Sequence, residues 1–231
     1  MMLTIVRIHN ELLGTYGDRG NSDVLAFRAE RAGITATILD ISYRDPMPAS
    51  GDIYLLGGAE DAAQALSLAA LKRDGTLARV AETGSVVLAI CAGFQIIGST
   101  FINGENEIVE GLGLLDVTTT PGKARSVGDI KIKSDLLAAE LTGFENHGGL
   151  TTLGKSVKAF GSVVVGRGNG DGISDGAVKG NIFGTYLHGP VLARNPEFAD
   201  FLLQRATGTD IPDVNDPLAL EYATWRRLVT K

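Results

Sequence analysis

One stretch constrains this chain more than any other: Ser85-Val-Val-Leu-Ala-Ile-Cys91-Ala-Gly-Phe-Gln95-Ile-Ile-Gly98. Val86 to Ile90 is an unbroken apolar run with β-branched members, the pattern of a strand buried on both faces of a parallel sheet. Cys91 closes that strand. A small residue, a glycine and the apolar set Phe94, Ile96 and Ile97 then open a helix. Strand, sharp turn and helix is the geometry of a nucleophile elbow. It raises one side chain above the carboxyl edge of the sheet, where open α/β folds place their sites. The helix N-terminus favours negative charge on the cysteine sulfur. The plainer alternative is a small buried hydrophobe, the ordinary fate of a lone cysteine.

The 231 residues, 44% of them hydrophobic, suffice for one α/β domain over 1–231. A net charge of −6 and a pI near 5.1 argue against a general nucleic-acid binder. No apolar run reaches the length of a membrane span, and the N-terminus reads as a first strand without a cationic leader region. The single cysteine excludes an internal disulfide and a multi-cysteine zinc site. No metal site is expected, and the cytoplasm is the natural compartment.

Taken in order, residues 3–8 read as a strand, followed by a glycine-broken loop through Asn21. A helix starts at an Asn21 or Ser22 cap and stops at Gly33. Residues 34–41 and 52–56 are strands, the second ending in Gly57-Gly58. Residues 60–73 and 77–83 are helical and lead into the Cys91 unit. This β-α-β-α-β-α order predicts a doubly wound, mostly parallel sheet. Later strands over 111–120, 126–133, 157–165 and 181–187 are expected as antiparallel additions at one edge. Residues 166–180 are a mobile loop or a tight hairpin. Two helices follow Asn195-Pro196 and Asp216-Pro217. In the last, Leu218, Tyr222, Trp225 and Val229 recur at helical spacing.

A cysteine nucleophile needs a base. His188 ends an apolar strand in Gly184-Thr-Tyr-Leu-His188-Gly-Pro190. If that strand runs parallel to the Cys91 strand, both side chains emerge at one sheet edge. His147, in Glu145-Asn-His-Gly-Gly149, lies in a turn and either binds substrate or shapes the loop. His9 receives no role. Acyl transfer also needs backbone donors for an oxyanion; Gly58 and Ala92 are the candidates.

Gly57-Gly58, Cys91-Ala-Gly93-Phe-Gln95 and His188 together resemble the class I (triad) glutamine amidotransferases, flavodoxin-like α/β proteins. Tyr16-Gly-Asp-Arg-Gly-Asn21, Phe144-Glu-Asn-His-Gly-Gly149 and Gly184-Thr-Tyr-Leu-His-Gly-Pro190 narrow the resemblance to the CobB/CobQ-like branch. Within it they resemble the GatD group, the glutaminase subunits of lipid II isoglutaminyl synthase. The resemblance implies hydrolysis of L-glutamine through a thioester on Cys91, with His188 as general base and acid. It places the substrate-binding arginine at Arg125, on a loop between edge strands, where a guanidinium suits a carboxylate. Lys123 is the nearby competitor, and Gln95 helps hold substrate. It also implies a Mur-ligase-like partner, MurT, in a heterodimer. That partner would use ATP and Mg²⁺ to amidate the D-glutamate of lipid II; this chain has no Gly-x-x-x-x-Gly-Lys-Ser/Thr motif.

One departure matters. The wider class has an acid two residues after the histidine, where this chain has Pro190. No local carboxylate is then expected to orient His188, and the resemblance implies an aspartate supplied by the partner. Asp18 and Arg19 read as an internal salt-bridged loop or an interface element. Two alternatives stand beside this reading. One is an amidotransferase for a corrinoid or another small acid, although those proteins carry a synthetase domain on the same chain. The other is a non-catalytic flavodoxin-like module.

Overall fold

The computed structural model describes residues 2–212 and 214–231. Its first half runs β1 (Met2–Ile8), α1 (Gly20–Arg31), β2 (Thr35–Ile41), β3 (Ile53–Leu56), α2 (Asp61–Asp74), α3 (Thr76–Glu82), β4 (Val86–Ile90) and α4 (Ala92–Ile97). Then come β5 (Thr100–Ile102), β6 (Ile108–Glu110), β7 (Val117–Lys133), β8 (Leu141–Leu153), β9 (Gly161–Val165), β10 (Ser174–Asp175), β11 (Ala177–Lys179) and β12 (Ile182–Thr185). The chain closes with α5 (Val191–Arg194), α6 (Pro196–Thr207) and α7 (Pro217–Val229).

The first sheet has the order β11-β12-β4-β3-β1-β2. Its pairings from β12 to β2 are all parallel, and only β11 at the edge is antiparallel. The mostly parallel sheet with flanking helices is what the element order predicts. Every residue of β3, β4 and β12 is buried, which explains their continuous apolar runs. Parallel pairing brings the ends of β1, β3, β4 and β12 to one edge.

The later strands depart from expectation. The strands between 100 and 175 do not extend that edge but form a second sheet, β10-β9-β7-β5-β6, with β8 paired on β7, whereas β12, expected as an antiparallel addition, pairs parallel with β4 inside the first sheet. The long β7–β8 hairpin is the reason: strands of this length satisfy their backbone groups against each other. The Glu145–Gly149 segment, read as a turn, lies inside β8. Arg125 likewise sits within β7, where the register shifts between Pro121 and Ser126. An antiparallel bridge between Phe144 and His188 ties the second sheet to the end of β12. Residues 166–180 hold two short strands and are pinned by Glu145, whose carboxylate accepts the amides of Arg167 and Gly168.

The helices show two further differences. α1 begins at Gly20, because the side chains expected to cap it are used elsewhere. Asn21 accepts the Leu192 amide at 2.9 Å, and Ser22 accepts Arg7 Nε at 2.8 Å. Buried Arg28 binds Asp200 through two nitrogens at 2.6 Å, fastening α1 to α6. On α7 the apolar stripe faces outward: Leu218, Tyr222, Trp225 and Val229 are 76%, 44%, 52% and 42% exposed. That helix is held by charge instead, through Arg226 to Asp129 and Arg227 to Glu197. No helix among the described residues is long and apolar enough to cross a membrane.

Phe94 seats α4 on the sheet by lying directly over Gly184 of β12. A Cβ built on Gly184 would meet Phe94 Cδ2 at 2.0 Å. Gly184→Ala therefore forces the elbow helix away from the sheet. The expected loss is about 1–3 kcal/mol, the usual cost of overpacking. Chemical denaturation reads it, and an unchanged midpoint would show that the ring can slide aside.

Candidate active site

Cys91 stands at the end of β4 with φ 54° and ψ −107°, a conformation few non-glycine residues adopt. Three contacts hold it there. The Cys91 amide bonds to Thr185 O of β12 at 2.9 Å, and the Gly93 amide bonds to Gly57 O at 3.1 Å. A side chain at Gly93 would collide with Leu56. The elbow inferred from sequence is present, and its strain is kept by the strands on either side.

His188 follows β12 and is fully buried. Its backbone exchanges two hydrogen bonds with Phe144, at 3.0 and 2.8 Å. A Cβ at Gly58 would sit 2.8 Å from His188 Cε1 and 3.6 Å from Cys91 Cβ, so the two side chains meet over this glycine. His188 Nε2 makes no hydrogen bond of good geometry among the described residues. Cys91 nevertheless lies close enough to act on the ring's titration.

The expectation that no carboxylate of this chain reaches His188 is overturned. Asp18 Oδ2 lies 3.0 Å and Oδ1 3.2 Å from His188 Nδ1. The pair is almost completely buried. Asp18 thus makes an internal ion pair, and its partner is His188. Burial opposes a charged imidazole, but hydrogen bonds to Asp18 and Cys91 and their charges carry the His188 pKa up to about 10.

Asp18 also changes the oxyanion assignment. Its Oδ2 accepts the Gly58 amide at 2.9 Å, so that N–H is already engaged and does not serve as the expected donor. The next residue, Ala59, lines the cavity together with Ala92. Ala92 is the first residue of α4 and carries one of that helix's open amides.

The cavity measures ≈ 90 Å³ and is lined by Tyr16, Cys91, Gln95, Arg125, Asn146 and His147, among others. Arg125, not Lys123, reaches it. Arg125 Nε donates to Asn146 Oδ1 at 2.6 Å, and Asn146 Nδ2 donates to the Tyr16 hydroxyl at 2.5 Å. The Tyr16 ring lies edge-on, 4.9 Å from the His188 ring. Gln95 accepts from Gln64 at 2.9 Å and donates to the Tyr186 hydroxyl at 3.3 Å, which fixes its amide. His147 stacks on Tyr186 at 3.7 Å; neither ring nitrogen has a hydrogen-bond partner among the described residues, and Nε2 lies 3.8 Å from the Glu145 carboxylate. His9 lies apart, bonded to Ser67. Two larger cavities of ≈ 480 Å³ elsewhere contain none of these groups.

The structure therefore brings Cys91, His188, Ala92, Gln95 and Arg125 together. Sequence reasoning missed Asp18, Tyr16, Asn146 and Gln64. The first three lie in segments singled out by resemblance, yet only the fold shows which way they point.

The family model described as "CobB/CobQ-like glutamine amidotransferase domain" matches residues 4–196. This chain belongs to that family of glutamine amidotransferases. It is 36% identical to the lipid II isoglutaminyl synthase (glutamine-hydrolyzing) subunit GatD of Streptococcus pneumoniae, over 96% of this chain and 89% of that protein. The Staphylococcus aureus subunit of the same name is 37% identical over 88% of this chain and 84% of that one. Cobyric acid synthase of Sphingopyxis alaskensis is 31% identical over 77% of this chain, but that match spans only 38% of the synthase. Among solved structures, a glutamine amidotransferase superposes with a TM-score of 0.59 at 16% identity, covering 88% of this chain and 98% of that one. At that identity the likeness concerns the fold.

The His188 environment predicts a pH dependence of stability. Its folded-state pKa of about 10 lies above the ordinary 6.5, so its contribution is full below pH 6.5 and fades as pH rises through about 10. Denaturant midpoints measured from pH 6 to 10 should fall more steeply for the wild type than for His188→Gln. Parallel slopes would mean that the imidazole is not held as a cation.

Proposed function

We propose that this chain is the glutaminase subunit of a lipid II isoglutaminyl synthase, releasing ammonia from L-glutamine for a Mur-ligase-like partner of the MurT type. The carrying observation is the strained Cys91 elbow meeting His188 over Gly58. The Cys91 Sγ proton resides on His188 Nε2, as the raised pKa of that ring favours, and the sulfur attacks the side-chain amide carbon. The oxyanion lies against the Ala92 and Ala59 amides. The imidazolium returns its proton to the nitrogen, the C–N bond breaks and ammonia leaves a glutamyl thioester. Water, deprotonated by the same imidazole, then releases glutamate and restores the thiol.

Arg125 receives the α-carboxylate of glutamine, exchanging Asn146 for it, while Gln95 holds the other end in place. ATP and Mg²⁺ belong to the partner, which activates the D-glutamate carboxyl. The near full-length match to two GatD subunits supports the cell-wall acceptor. The corrinoid alternative has less support, since the cobyric acid synthase is 31% identical over 77% of this chain against 36% over 96% and 37% over 88% for the two GatD subunits.

Cys91→Ala and His188→Ala are each expected to abolish glutamate release while leaving the fold intact. Iodoacetamide should label Cys91 in the wild type, and glutamine should protect it. Labelling that ignores glutamine, or a rate near wild type from either variant, would leave the non-catalytic module as the better reading. Arg125→Ala should raise the glutamine KM about tenfold or more with little change in kcat, as loss of a charged hydrogen bond implies. A KM unmoved by this change would mean that the carboxylate is held elsewhere. Co-purified ligase and labelled glutamine, with lipid II as acceptor, test the destination of the nitrogen.

A further inference from the structure

We propose that Asp175, a buried carboxylate of the second sheet, is a positioning residue of the reaction, holding the segment that joins the carbonyl beneath the Cys91 amide to His188. The inference rests on the glutaminase reading above. Asp175 ends β10, opposite Gly161 of β9; it is fully buried and does not line the cavity. Both its oxygens nevertheless act on the chain leaving β12. Oδ2 accepts the Thr185 hydroxyl at 2.6 Å, and Oδ1 accepts the Tyr186 amide at 3.2 Å. The Thr185 hydroxyl in turn accepts the Leu187 amide at 3.1 Å. Thr185 O receives the Cys91 amide, and His188 follows Leu187 directly. One carboxylate thus sets the peptides that lie between the elbow and its base.

The chain around Asp175 is built to deliver it. The buried Asn169 side chain accepts the Gly176 amide at 2.9 Å and donates to Gly176 O at 3.1 Å. A Cβ on Gly168 would stand 3.0 Å from Asp175 Cβ, and one on Gly176 would stand 2.1 Å from Gly184 O of β12. Both glycines have positive φ, so this close approach depends on glycine twice. Burial pushes the Asp175 carboxyl up to about 7; the Thr185 and Tyr186 donors oppose the rise, and the Glu145 and Asp171 carboxylates add to it. His147, 3.8 Å from Glu145 on β8, and the Tyr186 phenol on the held segment are the other titratable groups at hand.

The ionised carboxylate leaves every group of this knot paired, since the Thr185 hydroxyl donates to Asp175 while accepting from Leu187. A protonated carboxyl reverses the first bond. It donates to Thr185 Oγ1, and the hydroxyl proton is left without an acceptor in a fully buried place. Asparagine has the shape and the donor of that protonated form, so Asp175→Asn loosens the segment without opening a cavity. The α-carboxylate of glutamine is assigned to Arg125 on β7, which this segment does not carry, so the loss should fall on kcat.

The test is Asp175→Asn in the full chain with its ligase partner, assayed for glutamate release across the neutral pH range. At about pH 8, kcat should fall about tenfold or more with KM within about threefold, as orphaning a buried donor implies. The wild-type advantage should shrink toward unity below about pH 6, where both chains carry a neutral group at position 175. Titration of Cys91 and His188 is common to both chains and cancels in that ratio. Thr185→Val, which removes the hydroxyl, should cost a similar factor, and Thr185→Ser should recover most of it. The Asn and Val changes combined should cost little more than either alone, since they break one bond. A kcat unchanged at pH 8 would overturn the proposal, and so would a loss that stays constant with pH, as a purely structural contribution would give. If the Asn variant does not fold, the Thr185 pair decides, and a serine no better than valine would overturn it. Nitrogen-15 shifts of the Tyr186 and Leu187 amides should titrate at about 7 in the wild type and lie flat in Asp175→Asn. A wild-type complex without glutaminase activity would defeat the functional reading, while these amides would still report whether Asp175 governs the segment; flat amides in the wild type would mean that it does not.

Discussion

Parallel pairing of β3, β4 and β12 is the constraint on which the rest depends. It aligns Leu56 with Ala89 and Ile90 with Thr185, so the three strands end level. Each then delivers one component at the same height: Gly57-Gly58, Cys91 and His188. The entirely buried strands cannot slip without exposing apolar side chains, so the spacing of these groups is set by core packing. The strained backbone at Cys91 is tolerable for the same reason, since the amides around it are bonded to both neighbouring strands.

Upon this frame the first loop and the second sheet close from opposite sides. The loop brings Tyr16 and Asp18 to His188, and β8 brings Asn146 and His147. The Phe144–His188 bridge makes the two sheets share a residue at the centre of the site. Buried polar side chains here are tied into chains of contacts, such as Gln64 to Gln95 to Tyr186, as the low dielectric of an interior demands.

Much of this is legible in the sequence. The Cys91 elbow, the Gly57-Gly58 pair and His188 could be placed because buried strands announce themselves as apolar runs, and the site lies where those runs stop. Asp18 was not legible, because a carboxylate in a glycine-rich loop carries no signal of direction. Its approach to His188 depends on Tyr16 and Gly17 both adopting positive φ. β8 was missed because glycines and polar residues interrupt its alternation, and the hairpin partner that makes it a strand lies upstream in β7. On α7, periodicity found the helix correctly but not the side that is covered: charged Arg226 and Arg227 pack inward through ion pairs while Trp225 faces out.

The chain of hydrogen bonds from Tyr16 through Asn146 to Arg125 has a consequence for affinity. The guanidinium is already occupied, and the cavity of ≈ 90 Å³ is well below the roughly 300–1,000 Å³ of ordinary ligand sites. On the proposed reading, an incoming carboxylate would replace a hydrogen bond instead of adding one, and its affinity would report only the difference between the two. Admission also requires a rearranged state, and the fraction of molecules in that state scales the apparent binding constant. The resting site is in this sense self-liganded: its own asparagine competes with every anion that enters.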